Sequence, residues 1–155
     1  METSEMKNSA AIVASRRFLD EVWNGEPPSF SRLVELLDRL LVSYHDTARE
    51  KAPYHELDPP EQNWKEVYNA AGKRFPALGL YPATDPSEED PGTLMMGDAI
   101  DDIADITLDL RQTVWYADNH STEYAEAYFV EFYSHWGEHA RWLLVLLHTR
   151  LARGS

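Results

Sequence analysis

The sequence predicts an all-α protein: a single-domain bundle of about five helices, with a long Pro-rich loop before the fourth helix. Three observations predict it. Apolar residues recur at three- and four-residue spacings, and no stretch alternates as a half-buried strand would. Hydrophobic residues make up 43% of the 155 residues and aromatics 12%, enough for one core. Proline and glycine clusters separate the periodic segments by short connections, which favours antiparallel neighbours. Residues 1–8 are polar and are expected to be a disordered N-terminus. Residues 9–153 are then one helical domain.

The first helix is expected from Ala10 to Trp23, with Ile12, Val13, Phe18, Leu19, Val22 and Trp23 on its apolar side. NGEPPS ends it. The second should run from Ser29 or Ser31, both suitable caps, to about Arg49. Its stripe is Leu33, Leu36, Leu37, Leu40, Leu41 and Tyr44. A third, shorter helix is expected after APYHELDPP, with Asp58 as N-cap and Pro59 in the first turn. It carries Trp64, Val67, Tyr68 and Ala71 on one side. Residues 75–92 hold four prolines and two glycines and read as the longest irregular stretch, about 76–92. The fourth helix is expected from about Asp98 to Tyr116. After the turn DNHS, the fifth runs from about Thr122 to Leu151.

Charge narrows the function classes. The net charge is −13 and the pI about 4.7. Such a field repels phosphate backbones, so direct nucleic-acid binding is not expected. Cations and protein partners are favoured. With no cysteine, disulfides and thiolate metal sites are excluded. No stretch approaches the ~20 apolar residues of a membrane span, and the first residues lack the pattern of a secretion signal. A cytoplasmic location and no membrane contact are the expectations. Oligomeric state is not legible.

The fourth helix carries the first candidate site. The segment 97-GDAIDDIADITLDL-110 holds five aspartates and no lysine or arginine. On a helical wheel of ~100° per residue, Asp98, Asp101, Asp102, Asp105 and Asp109 all fall within about 100° of one another. Ala99, Ile103, Ile106, Leu110 and Val114 gather on the opposite, core-facing side. Asp98 suits an N-cap, and first-turn carboxylates are favoured by about 0.3–1 kcal/mol each. That covers Asp101 and Asp102 but not Asp105 or Asp109. Like charges four apart cost roughly 0.2–0.5 kcal/mol per pair, so these two need a cation or donor from elsewhere. The plain alternative is a solvated acidic face.

The last helix carries the second, in 134-SHWGEHARW-142. His135 and His139 are four apart and share a face with Tyr128, Glu131, Trp142 and Leu146. They are expected to look toward the core or a cleft, lined by Trp136, Tyr128 and Trp142. A pair of core histidines bonded to carboxylates or carbonyls is the plain reading. Gly137 costs a helix about 1 kcal/mol relative to Ala unless a neighbour approaches closely there. His135, Glu138 and His139 also spell the zinc pattern H-x-x-E-H, with Glu138 as base, although Glu138 lies about 60° off the histidine face. His45, His55, His120 and His148 read as surface or edge residues.

Together, Gly-x-x-x-Asp-Asp-Ile-Ala-Asp-Ile-x-x-Asp-Leu and the later His-Trp-Gly-x-His, ending in Leu-His, resemble the C-terminal half of the DUF5063 family of small bacterial proteins. The resemblance covers roughly residues 93–149. It implies an all-helical bundle and singles out Asp101, Asp102, Asp105, Asp109, His135, Trp136, Gly137, His139 and His148. The family carries no assigned activity. Glu138 stands where the family pattern often has arginine, which weakens the zinc-pattern reading.

Two functional expectations follow. The first is a non-catalytic interaction or regulatory module that binds a protein partner, with Asp–His contacts as a buried polar network. The alternative is a metal-dependent hydrolase acting on a phosphoester or nucleotide, its divalent metal held by Asp101, Asp102, Asp105, Asp109, His135 and His139. Both expect at least one of Asp101, Asp102 and Asp105 beside His135 or His139.

Overall fold

The structure is a computed structural model that describes residues 9–50, 57–90 and 92–154. The expected disordered segment 1–8 and His55 lie outside the described residues. Within them are six helices and one small sheet: α1 (Ala10–Trp23), α2 (Phe30–His45), α3 (Trp64–Arg74), β1 (Leu80–Ala83), β2 (Met95–Asp98), α4 (Ala99–Asn119), α5 (Thr122–Glu131) and α6 (Tyr133–Ala152). No described helix is long and apolar enough to cross a membrane.

Caps set most helix starts. The side chains of Ser9, Ser29, Asn63, Asp98 and Ser121 each accept a backbone N–H from the first turn of the helix they precede. The serine expected before α2 is thus Ser29, and α2 stops at His45 rather than Arg49. Helix α3 starts later than expected, at the Asn63 cap and not at Asp58–Pro59. Just before that cap, Gln62 Nε2 donates to the Leu108 carbonyl of α4 at 3.0 Å, tying the chain down before it can coil. Val13, expected in the core, is 40% exposed.

Helix α4 is the axis of the bundle, packed by α1, α3, α5 and α6. Ile103, Ile106 and Leu110 are fully buried, meeting Phe18 of α1, Leu36, Leu37 and Leu40 of α2, and Phe129, Leu143 and Leu147 of α5 and α6 in one core. Val114 is only half-buried.

Two features depart from the expected bundle. The loop 76–92 contains β1, which pairs antiparallel with β2, Tyr81 opposite Gly97 and Leu80 opposite Asp98. Each strand is four residues long, too short to show alternation. The expected last helix is two helices that meet at Phe132. There the Trp136 indole N–H donates to the Phe129 carbonyl at 2.9 Å. A continuous helix would offer that carbonyl to the Tyr133 amide, so a side chain inserted into the ladder explains the corner.

Candidate functional site

The aspartate stripe of α4 faces the histidines of α6. The two helices run antiparallel: Asp109 meets His135, while Asp102 meets His139 one turn further on. His135 Nδ1 lies 2.7 Å from Asp109 Oδ2 and His139 Nδ1 lies 2.7 Å from Asp102 Oδ1. The opposite ring nitrogens share one acceptor. His139 Nε2 is 3.0 Å and His135 Nε2 3.5 Å from Asp105 Oδ2. The expected Asp–His contact is therefore present, and it is made by three pairs: Asp102–His139, Asp105–His139 and Asp105–His135. Asp102 and Asp109 are buried, at 4% and 8% exposure, so the stripe is not a solvated face.

Three residues that sequence reasoning did not assign to the site complete it. Tyr81 of β1 donates its hydroxyl to Asp102 Oδ2 at 2.6 Å. Trp64, read on the same side of α3 as Val67 and Ala71, stands 42% exposed and donates its indole N–H to Asp105 Oδ1 at 2.9 Å. Tyr68 donates to Asp98 Oδ2 at 2.6 Å, holding the N-cap that starts α4. Gly97 makes the first of these possible. A Cβ there would stand 2.4 Å from the Tyr81 ring, so the ring crosses the strand over a residue that has none. A tyrosine opposite a glycine across a two-strand ladder has no signature in one sequence.

The remaining candidates fall elsewhere. Asp101 is half-buried, and its carboxylate has no hydrogen-bond partner among the described residues. Trp136 does not line a cleft: it is fully buried in the core against Phe129. Tyr128 donates to Gln112 Oε1 and stacks on Phe132, lining no cleft either. It sits on the other side of the break at Phe132 from the histidines, bonded to the helix that carries Asp109. Trp142 does line a groove, described below. Glu138 is exposed, takes the Trp142 indole N–H at 3.4 Å, and stands outside the cluster, so no H-x-x-E-H centre forms. His135 was expected away from bulk water, yet its side chain is 46% exposed. Gly137 is needed: a Cβ would sit 2.8 Å from the Tyr133 ring. His45, His120 and His148 are exposed as expected.

Burial and charge compete in the cluster. Burial opposes a charge on His139, but the hydrogen bonds to Asp102 and Asp105 outweigh it and raise its pKa to about 10. Burial likewise pushes Asp105 up, and the His139 and Trp64 donors more than reverse it, so its carboxyl is held low. Asp109 goes the other way, because burial exceeds what His135 returns. Asp101 is raised by burial and by the neighbouring Asp105 carboxylate.

Two sets of donors could hold an ion: Asp105, His135 and His139, and Asp101, Asp102 and His139, the atoms of each set lying within 4.8 Å of one another. The first fits better. Metal-bound imidazoles donate their other N–H to a carboxylate, which fixes the tautomer. Asp102 and Asp109 take those N–H groups here, turning both Nε2 atoms toward Asp105. The second set leaves His135 aside, and its Asp102 already accepts from both His139 and Tyr81. Donors ~2.1 Å from one ion stand roughly 3.0–3.5 Å apart at tetrahedral or octahedral angles. The two Nε2–Oδ2 separations match that spacing.

Comparison with family models, with curated proteins and with solved structures returned no match.

Proposed function

We propose that the chain is a metal-dependent hydrolase whose ion is held by His135 Nε2, His139 Nε2 and Asp105. One observation carries the reading. Both imidazoles turn the same nitrogen to one carboxylate oxygen while buried carboxylates hold their other nitrogens. A purely structural Asp–His pair needs only one such contact. Two nitrogens and one carboxylate suit Zn²⁺, Mn²⁺ or Fe²⁺ better than Ca²⁺, which prefers oxygen throughout. The charge also fits once His139, protonated in the ion-free protein, gives up its Nε2 proton to the incoming ion: the carboxylates of Asp102, Asp105 and Asp109 then leave an excess that a dication offsets.

Three protein ligands would leave positions for water and substrate, as hydrolytic metal centres require, and the partly exposed His135 puts the cluster within reach of solvent. An ion there would acidify a bound water and polarise a substrate oxygen. The remaining steps belong to the chain. Asp102 and Asp109 fix the tautomers, Trp64 holds the second oxygen of Asp105, and Asp101 is the nearby carboxylate able to take the water's proton. A phosphoester is the proposed substrate class. Its oxygens bind a divalent ion directly, whereas the acidic surroundings repel an anion with no ion to meet it.

The test is metal uptake. Protein stripped with chelator and titrated with Zn²⁺ or Mn²⁺ in a calorimeter should bind one ion per chain. Asp105→Asn and His135→Ala should abolish binding while keeping helical circular dichroism. Hydrolysis of p-nitrophenyl phosphate should follow ion occupancy. No uptake of any of these ions would sink the proposal. The cluster would then be an imidazolium network inside a binding module.

A further inference from the structure

We propose that the groove between α6 and β1 receives an acidic amphipathic helix of a partner protein. The groove encloses about 1100 Å³ and runs along α6 from Ser134 to Arg153. Those residues span roughly 28 Å of helix axis. Trp142, Val145 and Leu146 form its floor, and Pro82, Ala83 and Leu94 its opposite wall. Val145 and Leu94, both lining the groove, are 64% and 67% exposed, a large apolar surface left open. The rest of α6 is engaged by α2 and α4, so this is the side of the helix left without a packing neighbour among the described elements.

Charge decides the occupant. The chain has 14 Lys and Arg against 27 Asp and Glu. In the groove the balance reverses, with Arg141, Arg150 and Arg153 against Glu138 and Asp85. The Asp85 carboxylate already accepts the amide and hydroxyl of Ser87 at 2.9 and 2.7 Å. Glu138 takes the Trp142 indole. Arg141 is braced by the Tyr133 hydroxyl at 3.1 Å and Arg150 by the Ala77 carbonyl at 2.9 Å, which set both guanidinium groups at the rim. Arg141 and Arg153 are twelve residues apart, roughly 18 Å along the axis. A lipid with one anionic head needs cations at one end only. Cations spread along an apolar floor suit a helix with a leucine face flanked by several carboxylates. The groove length fits about five turns of such a helix.

The test uses the full chain and two synthetic peptides of roughly 18 residues, enough to fill the groove. Both carry one leucine stripe. One has glutamate on the flanks and the other lysine. Fluorescence anisotropy should show saturable binding of the glutamate peptide. The Arg141→Glu/Arg153→Glu variant should weaken it about tenfold or more and should gain affinity for the lysine peptide. Val145→Asp should abolish binding while leaving the circular dichroism and ion uptake of the parent. Equal binding of both peptides, or indifference to both variants, would overturn the proposal. So would displacement of the glutamate peptide by oleate, or self-association of the chain that Val145→Asp removes. Neither peptide experiment depends on the ion, so its failure leaves the metal reading intact.

Discussion

Asp102 accepts from two directions, the Tyr81 hydroxyl on one oxygen and His139 on the other. Removing either donor leaves a buried acceptor short of a partner. His139→Ala should destabilise the ion-free protein by about 1–3 kcal/mol, read from urea unfolding. Tyr81→Phe should cost somewhat less, because Asp102 keeps the histidine. If an ion is held, Asp102→Asn should weaken its binding about 10–100-fold, since the amide no longer fixes the His139 tautomer. The pH dependence has a definite sign. The folded pKa of His139 is raised to about 10 from an ordinary 6.5. Its protonated ring therefore stabilises the ion-free fold fully below about pH 6.5, and that contribution is lost as pH rises through about 10. Denaturant midpoints of chelator-treated protein should fall across that window, and His139→Gln should flatten the fall. A midpoint that rises would show that burial, not the carboxylates, governs the ring.

At the scale of elements, glycine positions decide what can approach what. In a bare helix, Gly137→Ala would gain about 1 kcal/mol. Here the new methyl would meet the Tyr133 ring, which is stacked on Tyr44 with centroids 3.6 Å apart and would have to give up that stacking to retreat. Overpacking costs about 1–3 kcal/mol, so the substitution should lower stability, and a gain would show that the Tyr133 ring can move. Helical spacing made α1, α2 and α4 legible in the sequence, and the Ser and Asp caps read there marked the starts of α2 and α4, because both are local signals. The facing of Asp102, Asp105 and Asp109 toward His135 and His139 was legible too, from two polar stripes joined by a short turn. Tyr81 and Trp64 were not. Each reaches the cluster through a tertiary contact, and β1 is too short, and interrupted by Pro82, to read as a strand. The corner at Phe132 was hidden for a similar reason. No glycine or proline marks it, and the Trp136 indole that replaces a backbone donor lies four residues on. Hydrogen exchange should separate the two parts of the former loop. Amides of 84–90, beyond the short ladder, should exchange well before those of α4. Equal protection would mean that the connection is packed.

Across the whole molecule, the charge of −13 acts against compactness. The exposed ion pairs, such as Arg16–Asp118 at 2.7 Å, each return at most about 1 kcal/mol. Screening should therefore help more than it harms. The melting temperature should rise from very low salt to about 0.15 M NaCl, where the Debye length falls to about 8 Å. A fall would mean that the ion pairs outweigh the general repulsion. The corner at Phe132 carries a last consequence. It separates the angular setting of α6 from that of α5. A residue inserted in α5 would be absorbed between the Ser121 turn and the corner, and the histidines would keep their aim at Asp102, Asp105 and Asp109. The same insertion between Trp136 and His139 would swing the second ring by about 100° and out of the cluster. The corner works as a clutch: length can drift on one side of it, while on the other a single added residue breaks the alignment.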